Sequence, residues 1–170
     1  TYGLDGAVLS WFRSYLSGRT QFVRCGSSRS APATLSCGVP QGSVLGPILF
    51  LLYTADLLGL IEGHDLIPHL YADDTQICGY SPPSDALQLQ EKVSRCVDDV
   101  AKWMQSNRLQ LNTAKTEVLW CASIRRQHLF PQPGLHVGDD IIAPSASIRD
   151  LGIYLDCDVS MRTPVSKVVS

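Results

Sequence analysis

The sequence predicts an α+β fold. Segments with apolar residues at helical spacing alternate irregularly with short stretches of alternating apolar and polar residues, and no repeat or low-complexity linker divides them. At 170 residues, with 45% hydrophobic and 18% charged residues, the chain has the length and composition of one globular domain. The predicted elements, in order, are a helix at 6–16, strands at 19–25 and 33–37, a helix that follows the turn 40–47 and reaches about 58, strands at 67–71 and 76–80, a helix behind Ser84 that includes 89–104, strands at 108–111 and 116–121, a hairpin at 135–142 and a strand at 151–155.

The helices are predicted from capping residues and apolar stripes. Asp5 is placed to cap the first helix, whose apolar side chains form one stripe, and Gly18 ends it. The second helix follows the turn 40–47, and because Gly, Pro and Asp interrupt its apolar run, we expect a buried helix and not a membrane span. In the third helix, Ser84 is predicted as the N-cap, and apolar spacings of three and four predict one buried face.

Alternation and turn residues predict the strands. The first two flank the Gly/Ser loop 26–30, and the next two flank a tight turn at 72–75. Near the end of the chain Leu151, Ile153 and Leu155 alternate as one strand, and we expect Leu151 and Leu155 in the core.

Charge and cysteine spacing limit the function classes. A formal charge of −2 and a pI near 6.0 argue against a free-standing nucleic-acid-binding protein, which should be basic. The six cysteines lack the spacing of a zinc site or a disulfide framework, so we expect buried free thiols in a reducing compartment. The sequence opens with no signal peptide and favours an intracellular protein, nuclear or cytoplasmic and not secreted.

The segment 69-HLYADDTQI-77 places two adjacent carboxylates, Asp73 and Asp74, at the tip of a predicted hairpin. Neighbouring like charges are costly unless they are solvated or neutralised, so the tip is either a solvated turn or a cation site. A second acidic hairpin, 136-HVGDDII-142, holds Asp139 and Asp140. It has no aromatic residue before the acids and no phosphate-binding loop nearby in the chain, so we interpret it as a plain turn.

A candidate phosphate-binding loop, formed by Gln41, Gly42 and Ser43, lies about thirty residues before the first acidic tip. Glycine permits close backbone approach, and the start of a helix offers free N–H groups to phosphate. Carboxylates that hold divalent cations opposite such a loop are the components of two-metal phosphoryl transfer, for which Mg²⁺ is suited. The sequence therefore predicts that the acidic tip and this loop lie close together in space.

Four segments in this order resemble the palm of a reverse transcriptase: 38-GVPQGSVLGPILFLLYTADL-57, 71-YADDTQI-77, 103-WMQSNRLQLNTAKTE-117 and 148-IRDLGIYLD-156. Their residues are similar to those of the polymerases of animal non-LTR (LINE-type) retrotransposons, and the resemblance extends from about Leu4 to Leu155. The resemblance implies a palm-like antiparallel sheet with helices packed on one face, truncated at both ends. Residues 1–156 would be a partial palm, and residues 157–170 the start of the connection to the thumb.

The resemblance also implies roles for particular residues. Asp73 and Asp74 would bind the catalytic metal ions, Mg²⁺ or Mn²⁺, and Lys115 would approach the pyrophosphate as a proton donor. A solvated lysine without a role is an equal interpretation of Lys115. The other implied positions are a nucleotide- and template-binding set, Gln41, Gly42, Ser43, Tyr71 and Ala72, and a primer-supporting set, Leu151 and Gly152.

The activity implied by the resemblance is RNA-directed DNA synthesis. Its partners would be an RNA template, a DNA primer and dNTPs, with no membrane and no obligate protein partner. The family also needs a third aspartate, on a strand before the first helix, and no residue of this sequence matches it. We therefore expect the 170 residues alone to be inactive.

Three other interpretations stay open. Gly138-Asp139-Asp140 suggests a viral RNA-dependent RNA polymerase, although the phosphate-binding loop should then directly precede these acids. The missing aspartate favours a non-catalytic retroelement relic or binding fragment. The third is an ordinary α+β domain with acidic turns.

Overall fold

The computed structural model describes residues 3–39, 42–131, 133–138, 140–160 and 162–169. Helices and short antiparallel strands alternate along the chain, which confirms the predicted α+β class. The chain divides into two compact units, unit 1 (Thr1–Leu52) and unit 2 (Tyr53–Ser170).

Unit 1 contains a helix followed by a two-part hairpin. Its elements are α1 (Gly6–Leu16), β1 (Thr20–Gln21), β2 (Arg24–Cys25), β3 (Ser28–Arg29) and β4 (Ala33–Thr34), and α2 (Leu45–Tyr53) begins in this unit. β1 pairs with β4 and β2 pairs with β3, both antiparallel. The hairpin predicted around the Gly/Ser loop therefore forms, with strands shorter than expected.

The helices of unit 1 are more exposed than the sequence predicts. Asp5 occupies the N-cap position of α1, but its side chain makes no capping hydrogen bond. Neither α1 nor α2 has a buried residue, so the predicted burial of the second helix is wrong for α2. An all-round apolar helix is buried only where other elements cover it. The strands of unit 1 are two residues long and offer little sheet surface for that purpose.

The second predicted helix is two helices in the structure. α2 ends at Tyr53, and α3 (Ala55–Glu62) follows after Thr54. Together, Leu45–Glu62 form an 18-residue stretch that is long and apolar enough to cross a membrane, by length and composition only. Core helices of soluble proteins meet the same criteria, so one such stretch is weak evidence for a membrane span.

Unit 2 contains three hairpins and three α-helices among the residues that the structure describes. Its elements are α3, β5 (Ile67–Tyr71), β6 (Asp74–Cys78), α4 (Ala86–Ser106), β7 (Leu135–Val137), β8 (Asp140–Ile142), β9 (Ser147–Asp150), β10 (Ile153–Asp156) and α5 (Arg162–Val169). A short 3-10 helix, Pro83–Asp85, precedes α4, so Asp85 and not the predicted Ser84 takes the N-cap position.

The core of unit 2 lies between α3 and α4. Leu57 and Ile61 of α3 and Cys96 and Val100 of α4 are at most 4% exposed. Burying a leucine or isoleucine side chain contributes about 1.5–3 kcal/mol relative to leaving it exposed. Val97 continues the buried face of α4 towards strand β7, which confirms the apolar stripe predicted for this helix.

The strands of the described residues do not join into one sheet. They pair as separate two-stranded antiparallel hairpins, so the single palm-like sheet is not observed. The strands predicted at 108–111 and 116–121 are wrong, and only Val118 makes an isolated bridge, to Pro144. Turn hydrogen bonds explain this difference. Backbone groups that a ladder would need are used locally, as in the bond from the Thr116 N–H to the Thr113 carbonyl at 3.2 Å.

The cysteines are free thiols, but most of them are not buried. Only Cys96 lies in the core, Cys157 is partly exposed, and the other four, Cys25, Cys37, Cys78 and Cys121, are exposed. The prediction of buried thiols is therefore wrong for those four. Two of them, at positions 25 and 78, sit in two-stranded hairpins with a solvent-facing side, which an apolar neighbourhood in the sequence does not reveal.

Candidate active site

The acidic tip is the turn of the β5–β6 hairpin. Tyr71 pairs with Asp74, so Ala72 and Asp73 form a two-residue turn, and Asp74 is the first residue of β6. β5 has the predicted bounds, and β6 begins two residues earlier than predicted. Short turns of this kind fix the pairing of the two strands and hence the direction of the side chains beside the turn.

The two sides of this hairpin have different environments. Leu70 and Ile77 pack against the core, which sets the register of the hairpin. Because directly opposite residues share a side of the ladder, Tyr71 and Asp74 lie together on the other side. Both of these residues are exposed, as is Asp73 in the turn. The hairpin therefore presents its acids to solvent while its apolar side anchors it.

Ala72 holds the turn in a strained backbone conformation. Its φ is +52°, in the left-handed region that a residue with a Cβ adopts at a cost of about 1–2 kcal/mol. Asp73 does not share this positive φ, so the strain of the two-residue turn lies at its first residue. Strained conformations of this kind cluster at functional sites.

Two adjacent exposed carboxylates fit part of a Mg²⁺ site. Mg²⁺ is commonly held by one or two carboxylates together with substrate phosphates and water. Within the described residues, no group of three or more His, Cys, Asp or Glu side chains is placed to hold a metal ion. Neither of the two cavities described for unit 2 is lined by Asp73 or Asp74. Asp73 and Asp74 are thus exposed to solvent in the part of the chain that the structure describes.

The predicted phosphate-binding loop lies in unit 1, and its Gln41 lies outside the described residues. Gly42 has a φ of +77°, which glycine adopts freely. The Ser43 hydroxyl accepts a hydrogen bond of 3.1 Å from the Gly46 N–H at the start of α2. Ser43 therefore acts as a helix cap and occupies one of the donors that a phosphate would need. The predicted proximity of this loop to the acidic tip stays a prediction.

Lys115 ends a short 3-10 helix, Thr113–Lys115, and is exposed. The Asn112 carbonyl stabilises this turn by accepting hydrogen bonds from the Lys115 N–H at 3.1 Å and the Thr116 hydroxyl at 3.0 Å. A concave site of about 350 Å³, formed by residues 110–114, immediately precedes the lysine in the chain.

Leu151 and Gly152 do not lie in a strand. They form the two-residue turn between β9 and β10, with φ values of +44° and +89°. Leu151 is 56% exposed and Leu155 is 37% exposed, so the prediction that both are core residues is wrong. The alternating apolar residues of 151–155 begin in the turn and continue into β10. A two-stranded hairpin leaves one side of each strand in solvent, so alternation alone does not place these side chains in the core.

The second acidic hairpin forms as predicted from β7 and β8. Asp140 pairs with the buried Val137 and is exposed, and Gly138 has a φ of +61°, while Asp139 lies outside the described residues. Glycine takes the positive φ in this turn, so the backbone at that position is not strained as it is at Ala72.

Sequence reasoning assigned no role to Arg24 and Arg29 of unit 1, which pair directly across the β2–β3 ladder. The signal that would have found them is the distribution of charge along the chain, because a local excess of one sign is hidden when only the net charge is considered.

Sequence comparison decides the family. The family model described as "Reverse transcriptase (RNA-dependent DNA polymerase)" matches residues 2–155. The chain belongs to the reverse transcriptase family. It is 28% identical, over 97% of its length, to the RNA-directed DNA polymerase from mobile element jockey of Drosophila funebris. It is 31% identical, over 85% of its length, to the probable RNA-directed DNA polymerase from transposon BS of Drosophila melanogaster.

The chain spans 18% and 16% of the length of these two relatives. No solved structure matches it. The family accounts for the mixture of helices and antiparallel hairpins and for the segments quoted above. Reverse transcriptases generally use divalent metal ions, so family membership is consistent with the carboxylates at the β5–β6 tip.

Proposed function

We propose that this chain is part of the RNA-directed DNA polymerase of a non-LTR retrotransposon and carries two of its metal-binding carboxylates, Asp73 and Asp74. The observation that carries the proposal is the β5–β6 tip of a reverse transcriptase family member. Two adjacent acids stand there on a strained, solvent-facing turn whose other side is anchored in the core. The segment to residue 156 then belongs to the palm, and residues 157–170 lead towards the thumb.

In the proposed reaction, the primer 3′-hydroxyl oxygen attacks the α-phosphorus of a dNTP. The new P–O bond forms as the bond from the α-phosphorus to pyrophosphate breaks, and the hydroxyl proton passes to solvent water. Bound Mg²⁺ or Mn²⁺ would neutralise the developing charge on the attacking and leaving oxygens. Asp73 is the principal ligand and Asp74 the weaker one.

The other predicted residues position the substrates. Tyr71 and Ala72 lie beside the primer end and the incoming nucleotide, with the RNA template and the nucleotide also contacting Gln41, Gly42 and Ser43. Lys115 protonates the leaving pyrophosphate. Leu151 and Gly152 support the primer from an exposed hairpin turn, a position that suits contact with a nucleic-acid strand.

The test uses a protein that carries this chain at the length of the polymerases it resembles, with a primed RNA template and Mg²⁺. Asp73→Asn removes a metal-binding charge while keeping the shape of the side chain, so synthesis should fall below detection. Asp140→Asn is the matched control at the other acidic hairpin and should retain activity close to that of the wild type. Equal losses in both variants would refute the assignment of the metal site.

A non-catalytic relic or binding fragment is the second candidate. It is favoured by the lack of a third metal-binding side chain near the tip among the described residues. The 170-residue chain alone should incorporate no nucleotides under either proposal, and incorporation by it would show that no further carboxylate is needed. Synthesis by the longer protein would exclude the relic.

A further inference from the structure

Charge is unevenly distributed along the chain. Residues 6–55 contain four arginines and no lysine, aspartate or glutamate, so all 16 acidic residues lie outside this segment. The net charge of −2 therefore conceals a basic segment within an acidic chain. A strongly asymmetric distribution of this kind suggests contact with a polyanion.

Two of these arginines lie directly opposite each other on the hairpin of unit 1. Arg24 pairs with Arg29 across the β2–β3 ladder, and directly opposite side chains share one side of the ladder. Like charges in this arrangement destabilise a strand pair. Both residues are exposed, and the three ion pairs seen among the described residues all lie in unit 2. Residues 20–34 include no acid, so the hairpin holds two positive charges together without an acid of its own.

Local contacts orient these two guanidinium groups without neutralising them. The Arg29 guanidinium lies over the Phe22 ring, 4.4 Å from its centroid. The Arg24 Nε donates to the Gly26 carbonyl at 3.4 Å. Each contact leaves further N–H groups of the fork open to an acceptor. Arg19 differs, because its guanidinium bonds the carbonyls of residues 16, 37 and 38 and thereby holds the base of the hairpin.

We propose that Arg24 and Arg29 form a phosphate clamp that binds the backbone of a single-stranded RNA. This inference rests on the proposed function, in which an RNA template is a partner. Arginine forks match phosphate geometry, and an anion between them would remove the repulsion across the ladder. Phe22 is 48% exposed beside the clamp, and an exposed aromatic ring next to cationic side chains is the combination that single-strand binders use to stack a base.

The test measures binding of the 170-residue chain to a fluorescein-labelled single-stranded RNA by anisotropy at several salt concentrations. Two phosphate contacts contribute about 0.7 each to the slope of log K against log salt. Arg24→Gln with Arg29→Gln should therefore lower that slope by about 1.4 and weaken binding about 25-fold at 0.1 M salt. The matched control is Arg125→Gln with Arg126→Gln, an exposed arginine pair of unit 2, which should bind like the wild type. Equal weakening in both double variants, or in neither, would overturn the clamp.

A single charge reversal separates binding from folding. Arg24→Glu places an acid opposite Arg29, so the hairpin should become at least as stable as in the wild type, while RNA binding should fall further than in the glutamine double variant. Weaker RNA binding accompanied by lower thermal stability would indicate a structural role and contradict the proposal. Vesicles of phosphatidylserine and phosphatidylcholine form a second arm. Arginine-dependent binding to these vesicles, without arginine-dependent binding to RNA, would also refute it.

The clamp and the polymerase assignment fail in different assays. RNA binding by the 170-residue chain tests the clamp alone, because no nucleotide incorporation is expected of this chain. If the longer protein shows no DNA synthesis but RNA binding still depends on the two arginines, the polymerase proposal is refuted and the clamp proposal stands. If the glutamine double variant synthesises DNA at the wild-type rate and with the wild-type KM for the RNA template, the clamp proposal is refuted and the polymerase proposal stands.

Discussion

The left-handed backbone at Ala72 allows a sharp test of the acidic turn. Replacing Ala72 by glycine should relieve about 1–2 kcal/mol of strain at a φ of +52°. Glycine also gains conformational freedom in the unfolded chain, which costs about 0.4–1 kcal/mol on folding. The net expectation is that Ala72→Gly raises the free energy of unfolding by about 0.5–1 kcal/mol.

The same substitution in a regular helix supplies the control. Ala101 lies inside α4, where Ala→Gly lowers the free energy of unfolding by about 1 kcal/mol. The two variants differ from the wild type by the same methyl group, and they should shift stability in opposite directions. The separation between them should be about 1.5–2 kcal/mol, since the two expected shifts add.

Urea unfolding, followed by circular dichroism, measures both variants against the wild type. The midpoint should rise for Ala72→Gly and fall for Ala101→Gly, with unchanged slopes. If Ala72→Gly lowers the midpoint as much as Ala101→Gly does, the turn is not strained. In the longer polymerase, the more flexible glycine turn should also slow synthesis, because Asp73 is then held less firmly.

Three further predictions concern the core, the glycines and a buried carboxylate of unit 2. Ile61→Ala should lower the free energy of unfolding by about 2–5 kcal/mol, because the side chain is 0% exposed. Ile124→Ala, at 61% exposure, should change the free energy of unfolding by less than about 0.5 kcal/mol. Urea titration measures both variants, and equal effects would contradict the assigned core. Gly134→Ala should be strongly destabilising, since a Cβ there would lie 2.6–2.8 Å from side-chain and backbone atoms of β8. Gly59→Ala in α3 places a Cβ that meets nothing within 4 Å, so it should raise the melting temperature. The reverse order of melting temperatures in a thermal scan would refute this packing. Asp156, 8% exposed, accepts hydrogen bonds from the start of α5 that hold the pKa of its carboxyl below the ordinary value, so its contribution to stability is present above about pH 4 and is lost as pH falls through the lowered pKa. Asp156→Asn should therefore be less stable than the wild type at pH 7, and the difference should shrink as the solution is acidified. A difference in stability that does not change with pH would be the contrary result.

Local signals in the sequence predicted much of the fold. α1 has its predicted bounds because a capping position and a glycine mark its ends, and β5 does because a two-residue turn stops it. The buried face of α4 followed from apolar spacing alone. These features depend on interactions within a few residues, which a single sequence records directly.

The failures concern information that is not local. Burial depends on what covers a segment, so α2 is exposed although its sequence is apolar on every side. Alternation did not distinguish Leu151 in a turn from its neighbours in β10, because the side-chain pattern does not report the sign of φ. The two acids of the candidate site were located correctly at a hairpin tip, whereas the distance from that tip to the phosphate-binding loop stays a prediction.

Net charge does not report how charge is distributed along the chain. The value of −2 argued against nucleic-acid binding, yet it averages an arginine-only segment with a longer acidic one. Arg24 and Arg29 become neighbours only through the register of β2 and β3, which two-residue strands barely indicate in the sequence.

Because the β5–β6 hairpin is anchored by its apolar side, the stability of the fold does not depend on the side chains proposed to bind metal. Leu70 and Ile77 keep the hairpin in place, while Asp73 and Asp74 add nothing to the core. A chain that loses either carboxylate, as in Asp73→Asn, should therefore fold as stably as the wild type. Loss of the proposed metal-binding charge would then leave no trace in the stability of the protein, and only an assay of nucleotide incorporation would reveal it.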